Sequence, residues 1–379
     1  MNFDLDLCQV VGESADRLVS AQVFMAGGGA DLTTRNITKE LYEVARALQK
    51  EPLSALAARG LLDQVKPRDT VLICAGFFDP PSMITEGDGP IGAVHLGRAL
   101  AIGLDATPVF LTEVTNIPRM AELVRATGLD IVDLELARTT PFKAAMVPLP
   151  IDPKRAAAVA KQTYDNAKPK AMISIEKPGP SPAGTYHTGP GLDVSDVVGK
   201  VDFFVDEARA RGVLTIGIGD GGNEVGMGRI LKDVFEIVPT GKIMGTKVAT
   251  DILVVSAIAN WGAYAIEACL AAALHLPEAL HPLAVERRVA DASSRVGMID
   301  PTSGIAHGWV DGTPPICSES ILELLRAMVE LRLDRKLRAN AATSFGRRWF
   351  ETGVGPQSVS TWSKVLAKEE QDYFAAHGM

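Results

Sequence analysis

Short apolar runs alternate with amphipathic stretches along the middle of the chain, between residues 70 and 275. Each run is almost continuously apolar and is bounded by Gly, Pro or a charged residue, which is typical of a strand covered on both faces of its sheet. Such strands are predicted at 70–75, 107–112, 130–135, 170–176, 213–218 and 251–258.

The amphipathic stretches between the runs predict helices. Pro90 suits the first turn of the first helix, and Asn116 and Asp152 are N-cap candidates for two others. The helices are predicted at 90–103, 116–127, 152–167, 194–211, 223–235 and 261–275. This alternation predicts an α/β fold, with a doubly wound, mostly parallel Rossmann-like sheet of about six strands.

Added helices are predicted at both ends of the sheet region. No polar linker separates the parts, so we expect residues 1–379 to form a single α/β domain. Its parts are a helical N-terminal addition at 1–60, a core at 61–315 and C-terminal helices at 316–379. The last two parts include further helices, predicted at 278–294, 317–337 and 360–376.

One stretch, residues 252–274, is long and apolar enough to resemble a membrane span. Asn260, Gly262 and Glu267 interrupt it, which favours a buried strand, a polar turn and a buried helix. The N-terminus is acidic and has no basic region, so neither a signal peptide nor a transit peptide is predicted. We therefore expect a cytoplasmic protein without a membrane partner.

The composition, with 47% hydrophobic and 22% charged residues, is that of an ordinary globular enzyme. The net charge is −8 and the basic residues are scattered, which argues against a nucleic-acid partner. The four cysteines and six histidines show no zinc-site spacing. These features favour a small-molecule partner and leave a homo-oligomer open.

The segment GIGDGGNEVGMG at 217–228 matches the GxGxxG pattern of dinucleotide-binding loops. Asp220 and Glu224 lie where pyrophosphate would bind, and the next strand ends without an acid to hold a ribose. We therefore expect no NAD or flavin cofactor. The two carboxylates suit an amino group, a divalent metal or a moving proton, although Asp220 and Asn223 could instead cap a helix that begins near Glu224.

Five segments of the chain form a recognisable set. They are TEGDGPIGA (85–93), EKPG (176–179) followed by Tyr186, GDGGNEVGMG (219–228), NWGAYA (260–265) and VDG (310–312). Together they resemble the D-glutamate cyclase family, in particular its C-terminal cyclase-like domain. The resemblance implies a hydro-lyase that interconverts D-glutamate and 5-oxo-D-proline. It also implies that the larger animal members are mitochondrial and carry an extra N-terminal domain, for which this chain has no room.

Carboxylates dominate the candidate chemistry. Lactam closure needs a deprotonated amine placed next to the carboxyl group that it attacks, and an acid or a metal that helps an oxygen to leave. We expect Asp220 to bind or deprotonate the amine and Glu224 or Glu176 to handle the departing water. Glu176 could instead pair with Lys177 at the surface. Five carboxylates could together form an oxygen-rich site for magnesium or manganese. They are Glu86, Asp88, Glu176, Asp220 and Glu224.

The residues expected to bind substrate follow predicted strands, because ligands of open parallel sheets lie at the carboxyl ends of the strands. They are Glu86, Asp88, Tyr186, Gly221, Gly222, Asn223, Arg229, Asn260, Trp261 and Tyr264. Each has a structural alternative: a loop-forming acid, a surface tyrosine or arginine, or a core aromatic residue. Asp311 is interpreted as a turn residue. Another lactam hydrolase, an epimerase or a non-catalytic module that binds a small carboxylate remains an alternative function.

Overall fold

A computed structural model describes residues 3–23, 36–79, 82–334 and 354–376, with the backbone alone at 354–362 and at 373. The chain divides into two compact units, Met1–Val329 and Glu330–Met379. The prediction of a single domain therefore stays a prediction.

The strands of the first unit form one large sheet and one short hairpin. They are β1 (Thr70–Ala75), β2 (Phe78–Asp79), β3 (Ile84–Thr85), β4 (Thr107–Thr112), β5 (Asp130–Ile131), β6 (Lys143–Pro148), β7 (Ala171–Ile175), β8 (Leu214–Gly219) and β9 (Ile252–Val255). The large sheet has seven strands in the order β5-β6-β4-β1-β7-β8-β9, and every pair is parallel. The predicted α/β class with a mostly parallel sheet is confirmed, with one strand more than expected.

Helices of the first unit cover this sheet, and the last described helix belongs to the second unit. The first group is α1 (Leu5–Val19), α2 (Ile37–Gln49), α3 (Leu53–Gln64), α4 (Pro90–Leu104), α5 (Ile117–Ala126), α6 (Leu134–Thr139) and α7 (Pro153–Ala167). The second group is α8 (Asp202–Ala210), α9 (Leu231–Ile237), α10 (Gly241–Met244), α11 (Ala259–Leu274), α12 (Leu283–Arg295), α13 (Pro315–Leu333) and α14 (Val354–Ala376). Residues 335–337 of a predicted helix lie outside the described residues.

The extra strand, β6, lies near the sheet edge and was not predicted. Its sequence KAAMVP contains one β-branched residue and ends in proline, so its strand signal is weak. The strand predicted at 130–135 ends at Ile131, because Asp133 accepts a hydrogen bond from Leu136 N at 2.9 Å and caps α6. Edge strands are often this short, which limits pairing with other chains.

Local signals located several helix starts correctly. Pro90 begins α4, and the Asp152 carboxylate accepts from Arg155 N at 2.8 Å, which caps α7. Asn116 precedes α5, but its side chain makes no capping hydrogen bond. Short-range rules therefore identify the boundary of α5 without identifying what stabilises it.

The stretch at 252–274 forms β9 and the buried helix α11, as predicted. None of the described helices is both long and apolar enough to cross a membrane. The predicted N-terminal addition supplies α1, α2 and α3, of which α1 and α3 pack against α11. Asp16 of α1 accepts hydrogen bonds from the first backbone N–H groups of α3, so a buried carboxylate joins these two helices.

Candidate active site

The carboxyl ends of β1, β7, β8 and β9 lead into the loops that carry the predicted site residues. Asp88 joins two of these loops, because its carboxylate accepts from Ala259 N and Asn260 N at 2.8 Å each and from Gly89 N at 3.0 Å. The Asn260 side chain bonds in the opposite direction, with its Oδ1 accepting from Gly89 N and Gly92 N. Asn260 thus holds the loop of Asp88, and its predicted contact with a substrate stays a prediction.

The helix predicted at 223–235 is wrong over its first half. Val225 N donates to Lys177 O at 2.9 Å, and Gly226 N donates to Val248 O at 2.9 Å. The segment therefore lies extended between two neighbouring loops, and α9 begins only after a 3-10 turn. Because no helix begins near Glu224, the alternative in which Asp220 and Asn223 cap such a helix is wrong as well.

Close packing explains the glycines of this loop. A Cβ atom at Gly217 would lie 2.2 Å from Val225 O, and Gly222 has a φ of 114°, which side chains rarely adopt. Glu224 uses both carboxylate oxygens within the loop, accepting from Gly221 N at 3.0 Å and from Gly222 N at 2.8 Å. The backbone N–H groups that a phosphate would need are therefore taken by a carboxylate.

Acidic side chains from three loops converge beside this segment. One carboxylate oxygen each of Asp88, Glu176 and Asp220 lies within 4.8 Å of the other two. Other carboxyl groups interact with this triad, and no lysine, arginine or histidine of the described residues forms an ion pair with any of them. We call the set the acidic centre: Glu86, Asp88, Glu176, Asp220, Glu224 and Asp311.

Burial and mutual repulsion shape the electrostatics of the acidic centre. Burial raises the pKa values of Glu86, Glu176, Asp220 and Asp311 well above their usual range, and the neighbouring carboxylates raise them further. Burial also raises the pKa of Asp88 to about 6, although three backbone N–H donors act to lower it. So many like charges cannot all ionise side by side without a cation or a proton between them.

Asp311 belongs to the acidic centre, although the sequence favoured only a turn there. The turn exists, with a φ of 48° at Asp311 and a hydrogen bond from Gly312 N to Asp300 Oδ1 at 2.8 Å. The Asp311 carboxyl group also lies close enough to that of Asp88 for each to shift the pKa of the other. The VDG motif at 310–312 was the available sequence signal for this residue. It did not separate the two roles, because a turn residue and a functional acid look alike in a sequence.

Glu176 directly follows β7 and is 8% exposed, and its Oε2 has no hydrogen-bond partner among the described residues. Lys177, which follows it, is completely buried and donates from Nζ to Glu113 Oε1. The same Glu113 oxygen accepts from Gly199 N at 2.8 Å. The alternative of a surface pair between Glu176 and Lys177 is therefore wrong, and one Glu176 carboxylate oxygen lies in the triad with those of Asp88 and Asp220.

Two predicted substrate-binding residues use their polar atoms on the protein backbone. Asn223 Nδ2 donates to His187 O at 2.9 Å. One guanidinium nitrogen of Arg229 donates to Thr250 O and to Asp251 O, at 2.8 Å each. No contact supports Arg229 as the partner of a substrate carboxylate, so that role stays a prediction.

Tyr186 was expected in a loop that closes over a ligand or lies at the surface. The structure instead buries its ring, 3% exposed, against Phe77, Phe78 and Val198. Its hydroxyl donates to Asp202 Oδ1, and burial next to that carboxylate raises the pKa of Tyr186. The loop is thus anchored by an aromatic residue in the core.

The structure also places Trp261 and Tyr264 in the core, which was the structural alternative for both. Trp261 Nε1 donates to Ser318 Oγ at 2.9 Å, and Tyr264 donates to Glu286 Oε2 at 2.9 Å. Neither ring is exposed. Their predicted contact with a substrate is therefore not supported by any described contact.

Tyr264 belongs to a second cluster of buried polar residues, which lies among the helices rather than at the sheet edge. His95 and His281 stack with ring centroids 3.7 Å apart, and both approach Glu286 Oε2, at 2.9 and 3.3 Å. His281 Nδ1 also lies 2.7 Å from Glu267 Oε2. Burial lowers the pKa of His95, whereas the two carboxylates outweigh burial and raise that of His281 to about 9.

This cluster predicts a loss of stability at alkaline pH. His281 has a folded pKa of about 9 against roughly 6.5 when unfolded, so its stabilisation is present below roughly pH 6.5 and is lost as pH rises through its folded value. Between pH 7 and 9.5 we expect a loss of about 2–3 kcal/mol, measured by urea unfolding. The free energy of unfolding of the His281→Gln chain should fall far less over this pH interval. His275→Gln, at an exposed pair with Asp4, should behave like the native chain; equal losses in all three proteins would contradict the assignment.

Comparison with known proteins identifies the family to which the chain is similar. A family described as "D-glutamate cyclase-like, C-terminal" matches residues 27–326. Human "D-glutamate cyclase, mitochondrial" is 28% identical over 215 residues, which cover 53% of this chain and 32% of the human protein. The chain thus corresponds to about a third of the length of that relative.

Proposed function

The chain belongs to the D-glutamate cyclase-like family, and from that premise we propose that it is a hydro-lyase that interconverts D-glutamate and 5-oxo-D-proline. The reaction joins the amine nitrogen to the side-chain carboxyl carbon and breaks one carbon–oxygen bond of that carboxyl group. Two protons of the ammonium group end on the departing oxygen, so one water leaves. The observation that supports this chemistry best is the convergence of Asp88, Glu176 and Asp220 at the carboxyl edge of the sheet.

The environments of the carboxyl groups suggest how they divide the work. We assign to Asp220 the binding and deprotonation of the amine, because one of its carboxylate oxygens lies in the triad with those of Asp88 and Glu176. Both oxygens of Glu224 accept hydrogen bonds from the glycine loop, whereas Glu176 Oε2 has no partner among the described residues. Glu176 is therefore better able than Glu224 to move a proton to the departing oxygen.

The direct test is turnover of both proposed reactants. The purified chain is incubated separately with D-glutamate and with 5-oxo-D-proline, and the products are read by chiral chromatography. We expect each compound to yield the other and both incubations to reach the same final ratio. L-glutamate and 5-oxo-L-proline are the matched controls and should give no product.

Two other outcomes would contradict the proposal and favour an alternative. A product of inverted chirality would indicate an epimerase, and saturable binding without any product would indicate a binding module. Neither a nicotinamide nor a flavin takes part in the proposed reaction. The cytoplasmic location stays a prediction, and a homo-oligomer stays open.

A further inference from the structure

We propose that the acidic centre binds one divalent cation of the magnesium or manganese class, held by Asp88, Glu176 and Asp220. Its effect on the substrate depends on the proposed function, but cation binding itself is inferred from the geometry and can be measured without a substrate. The three ligands come from three separate loops, after β3, β7 and β8, so only the folded sheet edge brings them together.

The spacing of the three carboxylates fits a small cation. Their candidate ligand oxygens lie within 4.8 Å of one another. Oxygens bound to one magnesium or manganese ion at about 2.1 Å are roughly 3–4 Å apart in octahedral geometry. Rotating the carboxylate groups about their side-chain bonds would move each oxygen by up to about one ångström. That movement is enough to bring the three oxygens to the spacing found around a bound ion. Each residue supplies one oxygen, which leaves other coordination positions for water or substrate.

A second observation, independent of the spacing, also indicates a ligand. Glu176 is buried, and its Oε2 has no hydrogen-bond partner among the described residues. A buried carboxylate oxygen without a partner is costly, because desolvation is not repaid by any contact. Asp88 differs, since three backbone N–H groups already orient its carboxylate. One pre-oriented ligand beside one unsatisfied ligand is an arrangement that a bound cation completes.

The donor atoms determine the class of cation. All three donors are carboxylate oxygens, which hard cations prefer over the nitrogen and sulfur ligands typical of zinc. The described residues contain one other group with metal-ligand spacing, His95, His281 and Glu286. There the imidazole planes are stacked at an angle of 9°, so their nitrogen lone pairs run side by side and do not converge on one point. The acidic centre is therefore the better site.

The cation would also resolve an electrostatic conflict in the proposed reaction. D-glutamate carries two carboxylates and one ammonium group, so an acidic centre without a cation would repel most of the substrate. With a cation in place, the side-chain carboxylate of the substrate can occupy an open coordination position. The second oxygen of Asp220 stays available to accept a proton from the amine.

Manganese serves as the probe, because free Mn²⁺ gives an EPR signal that weakens when the ion is bound. The purified chain is treated with EDTA, dialysed and titrated with MnCl₂. We expect one Mn²⁺ per chain at saturation, with magnesium competing for the same site. Glu176→Gln and Asp220→Asn should each raise the Kd for Mn²⁺ at least about tenfold. Asp206→Asn, an exposed acid on α8, is the matched control and should bind like the native chain.

The type of coordination separates the two candidate positions. Pulsed EPR of Mn²⁺ bound at the acidic centre should show no nitrogen coupling, whereas binding at His95 and His281 would show it. Absence of binding, nitrogen coupling, or equal affinity in the folded Glu176→Gln and Asp220→Asn chains would overturn the inference. None of these readouts uses turnover. Cation binding without conversion of D-glutamate would therefore contradict the proposed function alone.

Discussion

Asp220→Asn should reduce the conversion of D-glutamate at least about 10²-fold and leave the melting temperature of the chain unchanged or slightly raised. Asparagine has the shape of aspartate but neither its charge nor its basic oxygen. Removing one carboxylate from the acidic centre also relieves repulsion, so the fold has no reason to weaken. Turnover and melting temperature are measured on the same samples.

The structure removes the main competing explanation for this residue. A helix-capping aspartate can be replaced by asparagine at little cost, but no helix begins near Asp220. Its carboxylate instead lies beside those of Asp88 and Glu176, and no backbone N–H group of the described residues donates to it. Asp152 does cap a helix, so Asp152→Asn is the control and should keep both activity and stability.

The outcomes are distinguishable because the two measurements respond to different properties. Near-native turnover by the Asp220→Asn chain would remove Asp220 from the chemistry. Lost turnover together with a clear drop in melting temperature would assign it a structural role. Lost turnover at native stability is the result that the acidic centre predicts.

Local patterns were sufficient for the frame of this fold. The runs at 70–75 and 107–112 match β1 and β4 residue for residue, because continuous apolar runs with polar ends leave few alternatives. The segment at 223–235 failed, because its backbone hydrogen bonds go to residues as distant as Lys177 and Val248. A helical pattern cannot reveal partners of that kind.

The candidate site shows the same limit. The sequence could place acids after several strands, since the carboxyl edge is where parallel strands end. It could not show that Asn260 and Glu224 hold loops, or that Tyr264 faces Glu286 in the core. Those roles depend on which polar atoms already have partners, and most partners are distant in sequence. Lys177 and its partner Glu113 are likewise far apart in sequence, so their pairing could not be predicted.

Lys177→Met should lower the free energy of unfolding by about 3–5 kcal/mol, measured by urea denaturation. Lys177 is completely buried, and its ammonium group is bound by Glu113, which is 4% exposed. Among the described residues, removing the lysine leaves this buried carboxylate with the Gly199 N–H as its one remaining partner. Such an uncompensated charge costs more than the intact pair contributes.

A second substitution tests that cause. Adding Glu113→Gln to Lys177→Met removes the unpaired charge and keeps an acceptor for Gly199 N, so we expect more than half of the lost stability to return. Lys143→Met breaks an exposed pair with Asp130 and should leave the unfolding midpoint unchanged. A double variant that is less stable than Lys177→Met alone would mean that packing, rather than the unpaired Glu113 carboxylate, sets the cost. Recovery would show that the cost of losing Lys177, the residue next to Glu176, comes from the unpaired carboxylate of Glu113.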